Sequence, residues 1–134
     1  MATSSRRRPA FSLIELLTVL IVIGVLVGIA LPRFHTYRHR ARLAVMVTDL
    51  HNVAIAEEDF WNAVKRYTTD SAALDLSLSP GIVLTLHSAD STGWSARASL
   101  ADDPATCSIF YGSAPPLPPA VKANVIGCSG EQKK

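Results

Sequence analysis

The feature that most constrains this chain is an unbroken apolar stretch near its N-terminus. From Phe11 to Leu31 there are 21 residues, and Glu15 is the one charged residue among them. At about 1.5 Å per residue, a helix of this length spans roughly 30 Å, the thickness of the hydrocarbon core of a bilayer. The stretch therefore predicts a membrane-inserting helix. Its acid costs about 2.5–3.5 kcal/mol at the bilayer centre unless something pairs with it.

The residues before this stretch differ in order from those of a secretory signal. A secretory signal has its cleavage site, with small residues at the cut, after its apolar region. Here the arginines Arg6–Arg8 and the small residue Ala10 come first, and Leu31-Pro32-Arg33 is a poor cleavage site. A cut between Ala10 and Phe11 would remove the basic leader and leave the helix on the mature chain.

This arrangement resembles the type IV pilin family, including the pseudopilins of type II secretion. The residues that carry the resemblance are Ala10-Phe11-Ser12-Leu13-Ile14-Glu15-Leu16-Leu17, followed by Gly24 and Pro32. The family pattern has a small residue, usually glycine, and then Phe-Thr-Leu-Ile-Glu-Leu, so the chain departs from it at Ala10 and Ser12. The resemblance is specific over Ala10–Tyr37, about a fifth of the chain.

The resemblance implies a processing and assembly route. Prepilin peptidase would cut between Ala10 and Phe11 and methylate the new Phe11 amine, and Glu15 would pair with that amine on a neighbouring copy. Physical chemistry independently favours such a pair, because a carboxylate and an ammonium in lipid each lower the other's desolvation cost. The alternative for Glu15 is an acid at the membrane interface whose side chain reaches the headgroups.

Charge changes with processing. Removal of ten residues, three of them arginine, would leave 124 residues and change the formal net charge from +2 to −1. The basic balance therefore belongs mostly to the leader and does not favour direct binding of nucleic acid. Leader arginines favour a cytoplasmic N-terminus, whereas the collar of basic residues Arg33–Arg42 favours the opposite orientation. The resemblance selects an exported C-terminus, in an inner-membrane protein that then joins an extracellular pilus or a periplasmic pseudopilus.

Helical character continues past the apolar stretch. Gly24 and Gly28 each cost about 1 kcal/mol relative to alanine, and Pro32 removes a backbone donor. We expect a kink near Pro32 rather than a stop, with Gly24–Pro32 the segment most able to lose its hydrogen bonds in a filament. Beyond it, apolar residues at steps of three and four predict an amphipathic helix over 33–67. Its apolar stripe is Leu43, Met46, Leu50, Val53, Phe60 and Val64, and Glu57 interrupts it, which indicates a solvent-exposed edge.

The remainder predicts short antiparallel strands. Residues 68–81 have the turn chemistry of a loop. Strands are predicted over Gly81–His87, Gly93–Leu100, Cys107–Tyr111 and, as a strand or an extended return, Val125–Cys128. The fold class is α+β, with the long helix packed on a sheet of three to four strands. The predicted domains are a leader (1–10), a transmembrane and assembly helix (11–32), an amphipathic helix (33–67) and a C-terminal β domain (68–134).

Two segments of the β domain have alternative interpretations. Cys107 and Cys128 would form a disulfide in an exported domain and stay as thiols in a reducing compartment, and the resemblance favours the disulfide. Pro115-Pro116-Leu117-Pro118-Pro119 predicts exposed polyproline II. It is either a surface recognition element or, as we favour, a rigid spacer across the loop between the cysteines.

No pattern in the chain indicates catalysis, a metal or a cofactor. His35 and His39 share a helix face, but the surrounding arginines disfavour a cation. Asp102-Asp103-Pro104 supplies too few oxygens for calcium and predicts a turn. The basic collar either contacts headgroups before assembly or pairs with acids of adjacent subunits; the candidate acids are Glu57, Glu58 and Asp59.

The sequence thus predicts a structural, non-enzymatic subunit of a type IV pilus-like filament. Its implied partners are other pilin copies, prepilin peptidase, an inner-membrane assembly platform and, before assembly, lipid. One alternative is a pseudopilin or minor pilin of a type II secretion-like or DNA-uptake system. An alternative from another class is a membrane-anchored periplasmic binding domain that does not polymerise.

Overall fold

The computed structural model describes residues 11–129, which contain one long α-helix, a short 3-10 helix and a four-stranded antiparallel sheet. The chain divides into two compact units, Met1–Arg38 and His39–Lys134. The predicted α+β class, with a long N-terminal apolar helix and an antiparallel sheet, is confirmed.

The long helix, α1, spans Leu13–Val64 and continues through Pro32 without interruption. A kink at that position stays a prediction. The helix ends three residues before the predicted bound of 67, because Lys65 has a left-handed backbone with φ of 62°, a conformation common just past a helix end. The Lys65 ammonium lies 4.5 Å from the centre of the Trp61 ring, a cation–π contact that favours this termination.

The sheet is built from hairpins in chain order. Its strands are β1 (Ile82–Ala89), β2 (Gly93–Leu100), β3 (Asp103–Gly112) and β4 (Gly127–Cys128), and they pair in the order β1-β2-β3-β4. β3 begins four residues before the predicted bound. The Asp103 side chain accepts a hydrogen bond from the Ala105 N–H at 2.9 Å. This bond supports the backbone beside Pro104, which has no N–H of its own to donate.

The helix and the sheet bury one another inside the second unit. Met46, Leu50 and Val53 of the predicted stripe are fully buried and share one core with Ala96 and Ala98 of β2. Val64, the last residue of the predicted stripe, is instead 46% exposed at the end of α1. The alanines leave room for the helix side chains to fill the space above the strand. Burial of each large apolar side chain contributes about 1.5–3 kcal/mol relative to exposure.

Two acids are buried among these apolar residues. Asp49 accepts hydrogen bonds from the N–H and the hydroxyl of Ser79, each at 3.0 Å, and so holds the loop before β1 against the helix. Glu57 is also fully buried, so the sequence-based expectation of an exposed edge at this position was wrong. A carboxylate that accepts backbone hydrogen bonds can occupy a core position that an unpaired one cannot.

The outer face of the sheet is covered by the proline-containing segment, here called the flap (residues 114–124). The Ser108 hydroxyl donates to the Leu117 carbonyl at 2.7 Å and accepts from the Ala120 N–H at 3.0 Å. Arg97 donates to the Pro118 carbonyl at 2.7 Å. The flap is not simply extended as predicted, because Pro118 and Pro119 lie in a turn, and these hydrogen bonds hold that turn on the sheet.

The flap is also closed covalently. Cys107 and Cys128 are direct neighbours across β3 and β4 and form a disulfide over 21 residues of sequence separation. The predicted disulfide is therefore confirmed. It supplements a β4 strand of two residues, which has little pairing of its own.

Replacing both cysteines by alanine should lower the free energy of unfolding by about 3 kcal/mol, because the bond removes loop entropy from the unfolded chain. Denaturation of the detergent-solubilised chain, followed by tryptophan fluorescence, measures the change. The unmodified chain in reducing agent is the matched comparison and should lose a similar amount. Equal stability of all three samples would contradict the prediction.

Candidate functional site

The first candidate site is the apolar half of α1. Leu13–Leu31 is long and apolar enough to cross a membrane, and none of that window is buried inside the chain. This exposure distinguishes it from the core helix of a soluble protein, which would be covered by its own domain. A Cβ added at Gly24 or Gly28 would meet no atom within 4 Å, so both glycines also lie on open helix surface.

The beginning of α1 places the predicted site residues in one turn. Phe11 is 81% exposed. The Ser12 N–H donates to Glu15 Oε2 at 3.3 Å, and the Ser12 carbonyl accepts from the N–H groups of Glu15 and Leu16. This is the reciprocal half of a capping box, in which an acid at the third helical position turns back toward the N-cap residue. The Glu15 carboxylate is thereby directed toward residue 11, where cleavage would create an amine.

The sequence-based analysis missed this capping contact although its signal is present. Ser12 and Glu15 have the spacing of the Ser-x-x-Glu capping motif. A negative side chain in the first turn also complements the partial positive charge of a helix N-terminus. Glu15 therefore has a local structural role, which is compatible with pairing to another copy because a carboxylate can accept several hydrogen bonds.

The remaining predicted site residues are distributed as follows. Ala10, half of the predicted cleavage site, lies outside the described residues. Gly24 lies within the exposed apolar helix, and Pro32 lies inside the continuous α1. Cys107 and Cys128 are in the sheet of the second unit. Among the residues that the structure describes, no group of three or more histidine, cysteine, aspartate or glutamate side chains is placed to hold a metal ion.

The basic collar is already partly engaged. Arg42 forms an ion pair with Asp103, the first residue of β3. The hydrogen bonds that the Asp103 carboxylate accepts from Ala105 and Arg42 lower its pKa. The Arg38 guanidinium lies 5.3 Å from the centre of the exposed Phe34 ring. Of the acids considered as collar partners, Glu57 is buried and Glu58 accepts a hydrogen bond from the Tyr67 hydroxyl at 3.0 Å, whereas Asp59 is exposed.

Glu57 is a buried carboxylate in the second unit whose pKa departs from its ordinary value. Its Oε2 atom accepts from the Thr68 N–H at 3.1 Å, and its Oε1 atom has no hydrogen-bond partner within the described part of the chain. Burial raises its pKa from 4.5 to about 6; the Thr68 hydrogen bond opposes this rise, and the nearby Glu58 adds to it. The same region raises the pKa of Tyr67, through burial and through its bond to Glu58.

Comparisons with known proteins address the N-terminal segment directly. Residues 5–31 match the family model described as the prokaryotic N-terminal methylation motif, so the resemblance seen in the sequence is confirmed for this segment. The chain is also 34% identical over 62 residues to the type IV major pilin protein PilA of Myxococcus xanthus (strain DK1622). That alignment covers 46% of this chain and 28% of the relative, so it supports a type IV pilin-like segment rather than a likeness of whole proteins.

Glu57 should make stability depend on pH in a specific direction. Because its pKa is higher in the folded state, its contribution is complete below about pH 4.5 and is lost as pH rises through about 6. The loss amounts to about 2 kcal/mol in the free energy of unfolding. Glu57→Gln should remove this decline between pH 4.5 and pH 7.5, as measured by urea denaturation of the solubilised chain.

Asp59→Asn is the matched control, since it removes an exposed carboxylate two residues further along the same helix. It should retain the decline of the unmodified chain. An equal decline in Glu57→Gln and the unmodified chain would show that Glu57 does not cause it.

Proposed function

We propose that this chain is a structural subunit of a type IV pilus-like filament. Prepilin peptidase would cut it between Ala10 and Phe11 and methylate the Phe11 amine, and α1 would drive its polymerisation. The observation that carries the proposal is a membrane-length helix with no cover from its own chain, preceded by the N-terminal methylation motif. Such a surface needs lipid before assembly and other copies after it.

In the proposed mechanism, apolar surface supplies the attraction between copies and charge sets their axial offset. Packing between the exposed apolar helices would supply most of the attraction, but such packing fixes no particular axial offset because it lacks direction. Glu15 would supply the offset by pairing with the Phe11 ammonium of the adjacent copy. Its capping contact with Ser12 holds the carboxylate at the end of the helix where that ammonium would approach.

The proposed life cycle begins in the inner membrane as a single span with a cytoplasmic leader. The second unit would then be exported to an oxidising compartment, in which a disulfide such as Cys107–Cys128 persists. An inner-membrane assembly platform would add the processed subunit to an extracellular pilus or a periplasmic pseudopilus. No enzymatic step is assigned to the subunit, and direct contact with nucleic acid is not part of the proposal.

The alternatives differ in observable ways. A pseudopilin or minor pilin would be processed in the same manner but would be scarce in filaments sheared from the cell surface. A periplasmic binding domain that does not polymerise would retain its leader and would not require Glu15.

Glu15→Ala should leave the chain in the membrane but lower its incorporation into filaments by about tenfold or more. The reason is that an ammonium left unpaired in a membrane-like interior costs roughly 2.5–3.5 kcal/mol. Immunoblots of membrane and sheared-filament fractions measure both quantities.

Thr18→Val is the control for that experiment, because it removes a polar side chain from the same exposed segment. The Thr18 hydroxyl donates its hydrogen bond within the same helix, to the Ile14 carbonyl. It should assemble normally. Normal filament yield from Glu15→Ala would reject the proposed role of the acid.

Mass spectrometry of the native chain should find a mature N-terminus at Phe11, heavier by one methyl group. Ala10→Glu, which places a large and charged side chain at the cleavage site, should leave the leader attached and abolish the filament fraction. A chain that polymerises with its leader intact would refute processing as a requirement.

A further inference from the structure

The second unit carries a groove beside α1. It lies between helix residues 52–60 and the segment 73–77, and its volume is about 470 Å³. Leu74 is buried in its wall, and Ile55 is 63% exposed at its side. Asp59 on the helix and Asp75 on the opposite segment, both exposed, also line it. The groove therefore combines apolar walls with two negative charges.

Specific hydrogen bonds fix the loop segment that forms one side of the groove. The Asp70 side chain accepts from the Ala72 N–H at 3.0 Å and caps the 3-10 helix Ser71–Leu74. Asp75 ends that helix with a left-handed backbone. Further along, Asp49 binds Ser79 through two hydrogen bonds. Because both ends of the segment are fixed, a ligand would not need to order it.

A surface of complementary chemistry occurs on the same chain. Phe34, Tyr37 and Arg38 have the spacing of neighbours on one helix face, and the two aromatic side chains are 56% and 61% exposed. The Arg38 guanidinium lies over the Phe34 ring, so one positive charge is attached to an aromatic surface. We call these three residues the aromatic–basic patch.

We infer that the aromatic–basic patch of one copy docks into the acid-lined groove of another copy. In this contact Arg38 faces Asp59 and Asp75, and the aromatic rings cover the apolar walls. The inference rests on the proposed function, because polymerisation is what brings copies together. It differs from the Glu15 contact, which lies within the apolar helices.

We assign a second copy as the occupant because the positive patch complements the negative groove, and every subunit carries both surfaces. Contacts between unlike surfaces leave one free groove and one free patch at the ends, so they propagate into an open filament. Matched charges at an interface set register and partner choice more than total affinity. The patch–groove contact would therefore fix how the exported units follow one another.

Charge reversal tests the contact in the full-length chain. Arg38→Glu and Asp59→Arg should each lower filament yield about fivefold or more, and the double variant should recover most of it. Arg66→Glu is the matched control, since it reverses an exposed arginine outside both the basic collar and the groove, and it should assemble normally. Failure of the double variant to recover would overturn the contact, as would normal assembly of both single variants.

Cross-linking identifies the copies that take part. Two distinguishable copies, one with Tyr37→Cys and one with Ile55→Cys, are produced together, and sheared filaments are treated with a mild oxidant. A mixed disulfide-linked dimer is expected, whereas pairing Tyr37→Cys with Val83→Cys, an exposed position on β1, should give at least tenfold less. Equal yields from the two pairs, or no mixed dimer, would overturn the docking.

The two proposals fail separately. If the unmodified chain forms no filaments, the proposed function is wrong. If filaments form and require Glu15 but tolerate both single charge reversals, the patch–groove contact alone is wrong.

Discussion

The uncovered apolar surface of Leu13–Leu31 is the constraint on which the rest of the molecule depends. Apolar area of this extent is unfavourable in water, and the chain itself buries none of it. Its cover must come from outside the chain, first as lipid and then, in our proposal, as identical helices. Because such packing has no preferred direction, a single acid near the end of the segment has a disproportionate effect. Glu15 is fixed toward the helix start by Ser12 and so combines a local capping role with the proposed one between copies.

The second unit is a small domain, and its stability is limited by how little apolar volume it can bury. Alanines in β2 allow the helix side chains to fill the space above the sheet, and buried acids fix the loops at either side. Asp49 holds Ser79, and Glu57 holds the Thr68 N–H. These hydrogen bonds replace some of the apolar packing that a larger domain would have. They also place the walls of the groove, so the same acids that stabilise the unit shape the surface that we assign to assembly.

Much of this architecture could be predicted from the sequence because its signals are periodic or local. The apolar stretch, the stripe containing Met46 and Leu50, and the alternation in β2 each repeat with the period of their element. Glu57 was predicted wrongly because periodicity treats an acid as exposed, whereas its burial depends on the Thr68 N–H that the chain presents after α1 ends. The flap could not be derived from composition either, since Ser108 and Arg97 bind it through carbonyl groups that any residue possesses. The groove depends on the same kind of nonlocal placement.

The attachment of the flap determines which of its side chains can be substituted without disturbing the fold. Ser108, Arg97 and the cystine hold this segment mainly through main-chain atoms, while the side chain of Val121 is 92% exposed and those of Pro115 and Pro116 also face outward. Outward-facing side chains can change without disturbing carbonyl oxygens or the crosslink. Substitutions at these outward-facing positions would therefore change the chemistry of the surface while leaving the sheet and the crosslink beneath it unchanged.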